Sequence, residues 1–78
     1  MKVYLIIGEM HTQIGTVLMK EVLRIFSNKD NAKNFIKETY PEARYNIDSK
    51  CYILDPIPGE KFNYITKYFI EEWTIEDL

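Results

Sequence analysis

The 78-residue sequence is poor in the side chains from which catalytic and metal sites are built. It contains one cysteine, Cys51, and one histidine, His11. A single cysteine excludes an intrachain disulfide, and a metal site would have to form without a cysteine pair. The sequence suggests no triad, carboxylate pair or ligand cluster, so we expect no enzyme activity, no cofactor and no metal.

Long apolar runs are also missing. No stretch approaches the 18 or so apolar residues of a membrane-spanning helix, and residues 1–7 lack the organisation of a signal peptide. We therefore expect a cytoplasmic protein with no membrane partner.

Glycine is scarce, with three residues in the chain. Gly8 and Gly15 lack the following helix and lysine of a phosphate-binding loop, so we interpret them as turn residues around a loop at residues 9–14. His11 would lie in that loop, exposed to solvent. Cys51 is interpreted as a small apolar residue of a strand.

The overall composition is that of one globular domain spanning residues 1–78. Hydrophobic residues make up 46% and charged residues 28%, whereas the aromatic share of 14%, with six tyrosines, is high. An aromatic surplus favours an exposed binding or dimer face. A small core without a disulfide also favours self-association, so we expect a homo-oligomer.

Charge is unevenly divided along the chain. Residues 1–40 carry six basic and four acidic side chains, and residues 41–78 carry four basic and eight acidic ones, giving a net charge of −2. The pI near 5.3 speaks against general nucleic-acid binding, which usually comes with a basic domain.

Residues 26–40 are predicted to form the single helix of the fold. Ser27 is a favoured N-cap, and Asp30 would follow at N3, where its carboxylate opposes the helix dipole. Pro41 restricts Tyr40 to extended backbone and so ends the helix.

The helix has two distinct faces. Its apolar residues fall on one stripe, which predicts packing against a sheet: Ala32, Phe35, Ile36 and Tyr40. Its basic residues recur every four positions on another face: Lys29, Lys33 and Lys37. These lysines are candidates for partner or phosphate contacts, but a solvated helix face is the favoured interpretation.

Strands are predicted on both sides of the helix. Residues 2–7 alternate with apolar side chains on both faces, which indicates a central strand or a face covered by another subunit. Residues 16–26 should pair with them as an antiparallel hairpin, with Leu23 and Ile25 on one side. Residues 50–54 and 67–75 are further strands, residues 55–59 form a break, and residues 60–66 are either a helical turn or a hairpin arm.

The last strand contains a break in its alternation. Tyr68 and Ile70 share one parity, whereas Trp73 has the other, with Glu71 and Glu72 between them. We favour a β-bulge at the two glutamates, which would place Tyr68, Ile70, Trp73 and Ile75 on one inner face and both carboxylates in water. Without the bulge, Glu71 would lie among aromatic side chains, which would raise its pKa.

These elements predict an α+β fold of ββαβ type. A small antiparallel sheet of three to four strands would carry one helix on one face, with an irregular insertion at about residues 42–66.

Segments covering somewhat more than half of the chain resemble a family of short domains of unknown function from bacteriophages and bacteria. In that family a strand ends in a Val/Ile-Phe-Ser cap, the helix carries Ala and an aromatic-Ile pair, and the chain closes on an IEEW-like strand. The matching residues are Val3, Tyr4, Ile7, Gly8, Phe26, Ser27, Ala32, Phe35, Ile36, Tyr68, Ile70, Glu71, Glu72 and Trp73. The resemblance implies the ββαβ fold and a phage-type setting, but no assigned activity.

Three functions are compatible with the sequence. The first is an accessory protein that binds and modulates a host protein, for example as a counter-defence inhibitor. The second is a nucleotide-sequestering binder, and the third is a homodimeric module without a ligand. The candidate partner-binding residues are Lys29, Lys33, Lys37, Tyr4, Tyr68, Glu71, Glu72 and Trp73.

Overall fold

One antiparallel sheet and one helix make up the structure, a computed structural model that describes residues 1–56 and 64–76. The elements are β1 (Lys2–His11), β2 (Val17–Phe26), α1 (Lys29–Thr39), β3 (Arg44–Asn46), β4 (Cys51–Leu54) and β5 (Ile65–Thr74). The strand order is β2-β1-β5-β4-β3, and every neighbouring pair is antiparallel. The α+β class is thus confirmed, but the sheet has five strands rather than three to four.

The additional strand is β3, which lies within the predicted insertion. It pairs with β4, with Tyr45 opposite Tyr52. Its three residues are too few to produce a readable alternation, and polar turn residues surround them in the sequence. Of the segment predicted as either a helical turn or a hairpin arm, residues 65–66 belong to β5 and residues 60–63 lie outside the described part of the chain.

The helix packs on one face of the sheet through the predicted stripe. Ala32 and Ile36 are fully buried against Ile6, and Phe35 and Tyr40 pack at the edges of this cluster. An 11-residue helix is marginal in isolation, so this contact with the sheet supplies most of its stability.

The helix begins one residue later than predicted. Asn28, not Ser27, is the N-cap, and its side-chain oxygen accepts hydrogen bonds from the backbone N–H groups of Asp30 at 2.8 Å and Asn31 at 3.1 Å. Asparagine and serine are equally good caps, so two adjacent candidates cannot be ranked by residue type alone. Tyr40 is the C-cap, directly before Pro41 as predicted.

The first hairpin extends beyond its predicted limits. Strand β1 continues through Gly8 to His11, so the loop predicted at residues 9–14 is replaced by a shorter turn closed by the Thr12 and Thr16 backbone. Gly15, with φ of 92°, does lie in that turn, where a left-handed backbone favours glycine.

Gly8 lies within β1 and not in a turn, and its lack of a side chain leaves room for a neighbouring residue. A β-bulge in β2 leaves Leu23 without a residue opposite it, because Ile6 pairs with Arg24 and Ile7 with Val22. The Leu23 side chain therefore points to the helix side, where a Cβ at Gly8 would lie 3.1 Å from its Cδ1. The predicted placement of Leu23 on the same side as Ile25 is wrong for this reason.

Strand β5 is regular where a bulge was predicted. Its register with β1 runs without interruption from Lys2 opposite Thr74 to His11 opposite Ile65. Trp73 consequently faces away from the helix, on the side opposite Tyr68 and Ile70. Ten consecutive pairs with a central strand stabilise the regular register more than alignment of Trp73 with the core would.

Tyr68 lies in the core, stacked on Tyr40 with ring centroids 4.1 Å apart. Burial, together with the neighbouring Tyr40 hydroxyl, raises the pKa of Tyr68 from 10.0 to about 12. The fold therefore favours the protonated phenol.

The N-cap assignment leads to a stability prediction. Asn28→Ala removes the acceptor for two backbone N–H groups and should lower the free energy of unfolding by about 1 kcal/mol. The matched change Ser27→Ala should alter it by less than about 0.5 kcal/mol, as measured by urea denaturation. A larger loss for Ser27→Ala than for Asn28→Ala would contradict the assignment.

The pKa of Tyr68 predicts alkaline destabilisation. Because the folded pKa lies above the unfolded value, the contribution of Tyr68 to stability is complete below pH 10 and is lost as the pH rises towards 12. Tyr68→Phe keeps the ring stack without an ionisable hydroxyl, so its free energy of unfolding should fall less steeply across this range. Urea denaturation at a series of pH values measures both slopes, and identical slopes would refute the prediction.

Candidate functional site

The face of the sheet opposite the helix presents a contiguous apolar surface, which we call the open face. It is formed by side chains of three adjacent strands: Val3, Leu5, Ile7, Val22, Ile25, Phe69 and Trp73. No described helix or strand covers these residues. Ile25 is 62% exposed and Trp73 51% exposed, around a centre where Val3 and Ile7 are buried.

The open face follows from the apolar character of both faces of β1. Tyr4 and Ile6 face the helix, and Val3, Leu5 and Ile7 face the other way because successive strand residues alternate. Strand β1 lies in the interior of the sheet, which is one of the two predicted alternatives, and α1 covers only one of its faces.

Two acidic residues lie on the side of the sheet that carries the open face: Glu71 of β5, and Glu9 of β1 between Lys67 and Lys20. The position of Glu71 is the more informative. Glu71 lies opposite Leu5, between Phe69 and Trp73, and its carboxylate accepts a hydrogen bond of 2.9 Å from the Trp73 indole nitrogen. Glu71 therefore has the aromatic neighbours that were predicted for a strand without a bulge. The Glu71 side chain is nevertheless exposed to solvent, whereas the alternative without a bulge placed the carboxylate among aromatic side chains in the interior.

Opposite charges lie on either side of Phe69 along β5. Lys67 precedes it by two residues and Glu71 follows it by two, so all three side chains face the same way. At about 3.3 Å per residue, the charged positions are about 13 Å apart, which is too far for an ion pair within one chain.

A second candidate surface lies on the helix side, where three lysines from two elements surround a groove of about 210 Å³. We call it the lysine groove, and its described lining residues are Lys29, Lys33, Tyr45, Lys50, Tyr52 and Ile70. These residues include no carboxylate. None of the three lysines forms an ion pair with a described residue.

The floor of the groove is aromatic. The rings of Tyr45 and Tyr52 are 5.0 Å apart at an angle of 58°. Tyr52 is buried, and this burial, with Tyr45 beside it, raises the pKa of Tyr52. Tyr45 is 56% exposed, so part of its ring is available to a ligand.

Lys50 enters the groove from the tight turn between β3 and β4. It has φ of 54°, in the left-handed region that lysine seldom adopts. Asn46 closes the same turn by accepting a hydrogen bond from the Ser49 backbone N–H at 3.0 Å. The turn thereby brings Lys50 towards the first two turns of the helix.

The structure separates the predicted site residues. Lys29 and Lys33 line the groove, but Lys37 does not. Tyr68 is buried in the core, with 6% of its surface exposed. Tyr4 donates a hydrogen bond of 3.2 Å to Glu72, which also lies 3.7 Å from the ammonium of Lys2.

Several residues of both surfaces escaped the sequence analysis. Tyr45, Lys50 and Tyr52 belong to the β3–β4 hairpin, and the three residues of β3 are too few to show a readable alternation. Val22 and Ile25 of the open face are apolar residues of β2. The bulge interrupts the alternation of that strand, so the sequence does not show that the two side chains share a face.

His11 and Cys51 both lie in strands, as predicted for Cys51 but not for His11. His11 is the last residue of β1, and its imidazole is largely buried, 3.5 Å from the Glu9 carboxylate, so the predicted exposed loop position is wrong. Cys51 is buried in β4, with its sulfur 3.1 Å from the Ser49 hydroxyl. No group of three or more potential metal ligands forms among the described residues.

Comparison with known proteins assigns no role to either surface. No protein-family model, curated protein or solved structure matches the chain. Within residues 1–56 and 64–76, no helix is long and apolar enough to cross a membrane.

Proposed function

We propose that the protein is a protein-interaction module and that the open face is its binding surface. The observation that carries this proposal is the half-exposed Trp73 and Ile25 at the border of a buried apolar centre. Contiguous apolar patches of this kind mark interaction sites, because burying them removes apolar surface from water.

The spacing of Lys67 and Glu71 on either side of Phe69 favours a second copy of the chain as the partner. In a two-fold dimer each contact occurs twice, so residue i of one copy meets residue j of the other and the reverse. With the axis crossing the strands at Phe69, Lys67 of each copy would lie over Glu71 of its partner.

This arrangement also gives the Glu71 carboxylate a second partner. Glu71 has Trp73 as a hydrogen-bond donor in its own chain, and the second copy would supply a cation where water is excluded. Two sheets packed in this way keep their strands within about 30° of each other, as in other β-sandwiches, with the helices outside.

Modulation of a host protein, in a phage-type setting, stays a prediction that rests on the resemblance described above. A dimer built through the open faces would leave the helices and both lysine grooves accessible to further partners.

Charge exchange between Lys67 and Glu71 tests the proposed dimer. Lys67→Glu and Glu71→Lys should each weaken dimerisation by at least about tenfold in Kd, because each places like charges opposite one another twice. The double variant restores opposite charges and should return the Kd to within about threefold of the original value. Sedimentation equilibrium over a range of concentrations measures the Kd.

A matched pair of isoleucines controls for nonspecific effects. Ile25→Asp places a charge on the open face and should abolish the dimer, whereas Ile47→Asp, in the exposed β3–β4 turn, should leave it intact. A chain that stays monomeric at all concentrations, or a double variant as weak as the single ones, would contradict a second copy as the partner.

A further inference from the structure

We propose that the lysine groove binds a nucleotide, with the phosphate held by Lys29, Lys33 and Lys50 and the base on the tyrosine floor. The site lies on the helix side of the sheet, so it is independent of the open face and of whatever that face binds.

The charge of the groove points to an anion. Three ammonium groups surround it in a chain whose net charge is −2, and no carboxylate among the described lining residues offsets them. Lys29 and Lys33 are four residues apart on one helix, a spacing at which like charges repel. An anion bound between the two lysines would attract both ammonium groups and so offset this repulsion.

The conformation of Lys50 adds a second, independent observation. A lysine in the left-handed region is strained relative to glycine or asparagine, yet here the strain directs a third ammonium towards the same groove. Strained backbone of this kind concentrates at functional sites.

Ammonium groups, rather than the helix N-terminus, would hold the anion. The Asn28 side chain already accepts hydrogen bonds from the backbone N–H groups of Asp30 and Asn31. Lysines act as point charges that suit a multiply charged phosphate, and they impose less geometry than an arginine fork.

The floor of the groove supplies an apolar surface for the base of the nucleotide. Tyr45 exposes part of its ring and is supported from below by Tyr52, with Ile70 completing the apolar surface. Planar bases stack on such aromatic side chains without requiring base-specific hydrogen bonds. A phosphate beside a planar ring is the chemistry of a nucleotide.

The size of the groove favours a single nucleotide held weakly. At about 210 Å³ it is smaller than most pockets that enclose a drug-sized ligand, so part of the nucleotide would remain in solvent. The acidic pI and the concentration of lysines at one groove speak against a nucleic-acid strand.

Calorimetric titration of the full chain with ADP, adenosine and pyrophosphate tests the proposal. ADP should bind saturably and at least about tenfold more tightly than either fragment, and its affinity should fall as salt is added. Absence of saturable ADP binding, or pyrophosphate binding as tight as that of ADP, would overturn the nucleotide assignment. A single-stranded oligonucleotide that binds much more tightly than ADP would also overturn it.

Two lysine variants locate the site. Lys50→Asn removes the charge but keeps a residue that tolerates the left-handed backbone, so the melting temperature should hold while ADP affinity falls about tenfold. Lys37→Asn removes one positive charge from α1 outside the groove and should change affinity by less than about twofold. Equal losses for the two variants would show a general charge effect and refute the site.

Discussion

The fold depends on the packing of α1 on one face of a central strand that is apolar on both faces. Ile6 meets Ala32 and Ile36 in a cluster with no exposed surface, and this contact fixes the helix on the sheet. The described part of the chain contains one helix, and β1 has two apolar faces. Within residues 1–56 and 64–76, no helix or strand covers the second face, which is centred on Val3 and Ile7 and ends at the exposed side chains of Trp73 and Ile25. That constraint, rather than any catalytic group, gives the molecule its most distinctive surface.

The two proposed sites use different forces on opposite sides of the sheet. The open face would gain its binding free energy from buried apolar area, with Lys67 and Glu71 fixing the register of the partner. The lysine groove would gain its affinity from charge, since its cations lack acidic partners among the described residues. Because the first site faces away from the second, a dimer formed through the open faces would carry two grooves on its outer surfaces. Self-association and ligand binding can then occur in the same molecule.

Local patterns account for the parts of the fold that were predictable. The stripe containing Ala32 and Ile36 has the helical period, so both the helix and its buried face follow from the sequence. The regular course of β5 through Glu71 could not be predicted, because it is stabilised by pairing with β1, more than 60 residues away in sequence. Local alternation carries no information about a pairing as distant as that of β5 with β1. The groove could not be predicted for a different reason: Lys50 lies in the β3–β4 hairpin, whose first strand has only three residues and shows no readable alternation.

The solvent accessibility of Trp73 tests the central claim most directly. Trp73 is the only tryptophan in the chain, and about half of its surface is exposed on the open face. Quenching of its fluorescence by iodide, measured over a range of protein concentrations at constant ionic strength, reports whether the face becomes covered. The account predicts strong quenching in dilute solution and progressively weaker quenching, with a blue-shifted emission, as the chain associates. Quenching that stays equally strong at every concentration would contradict a second copy on the open face.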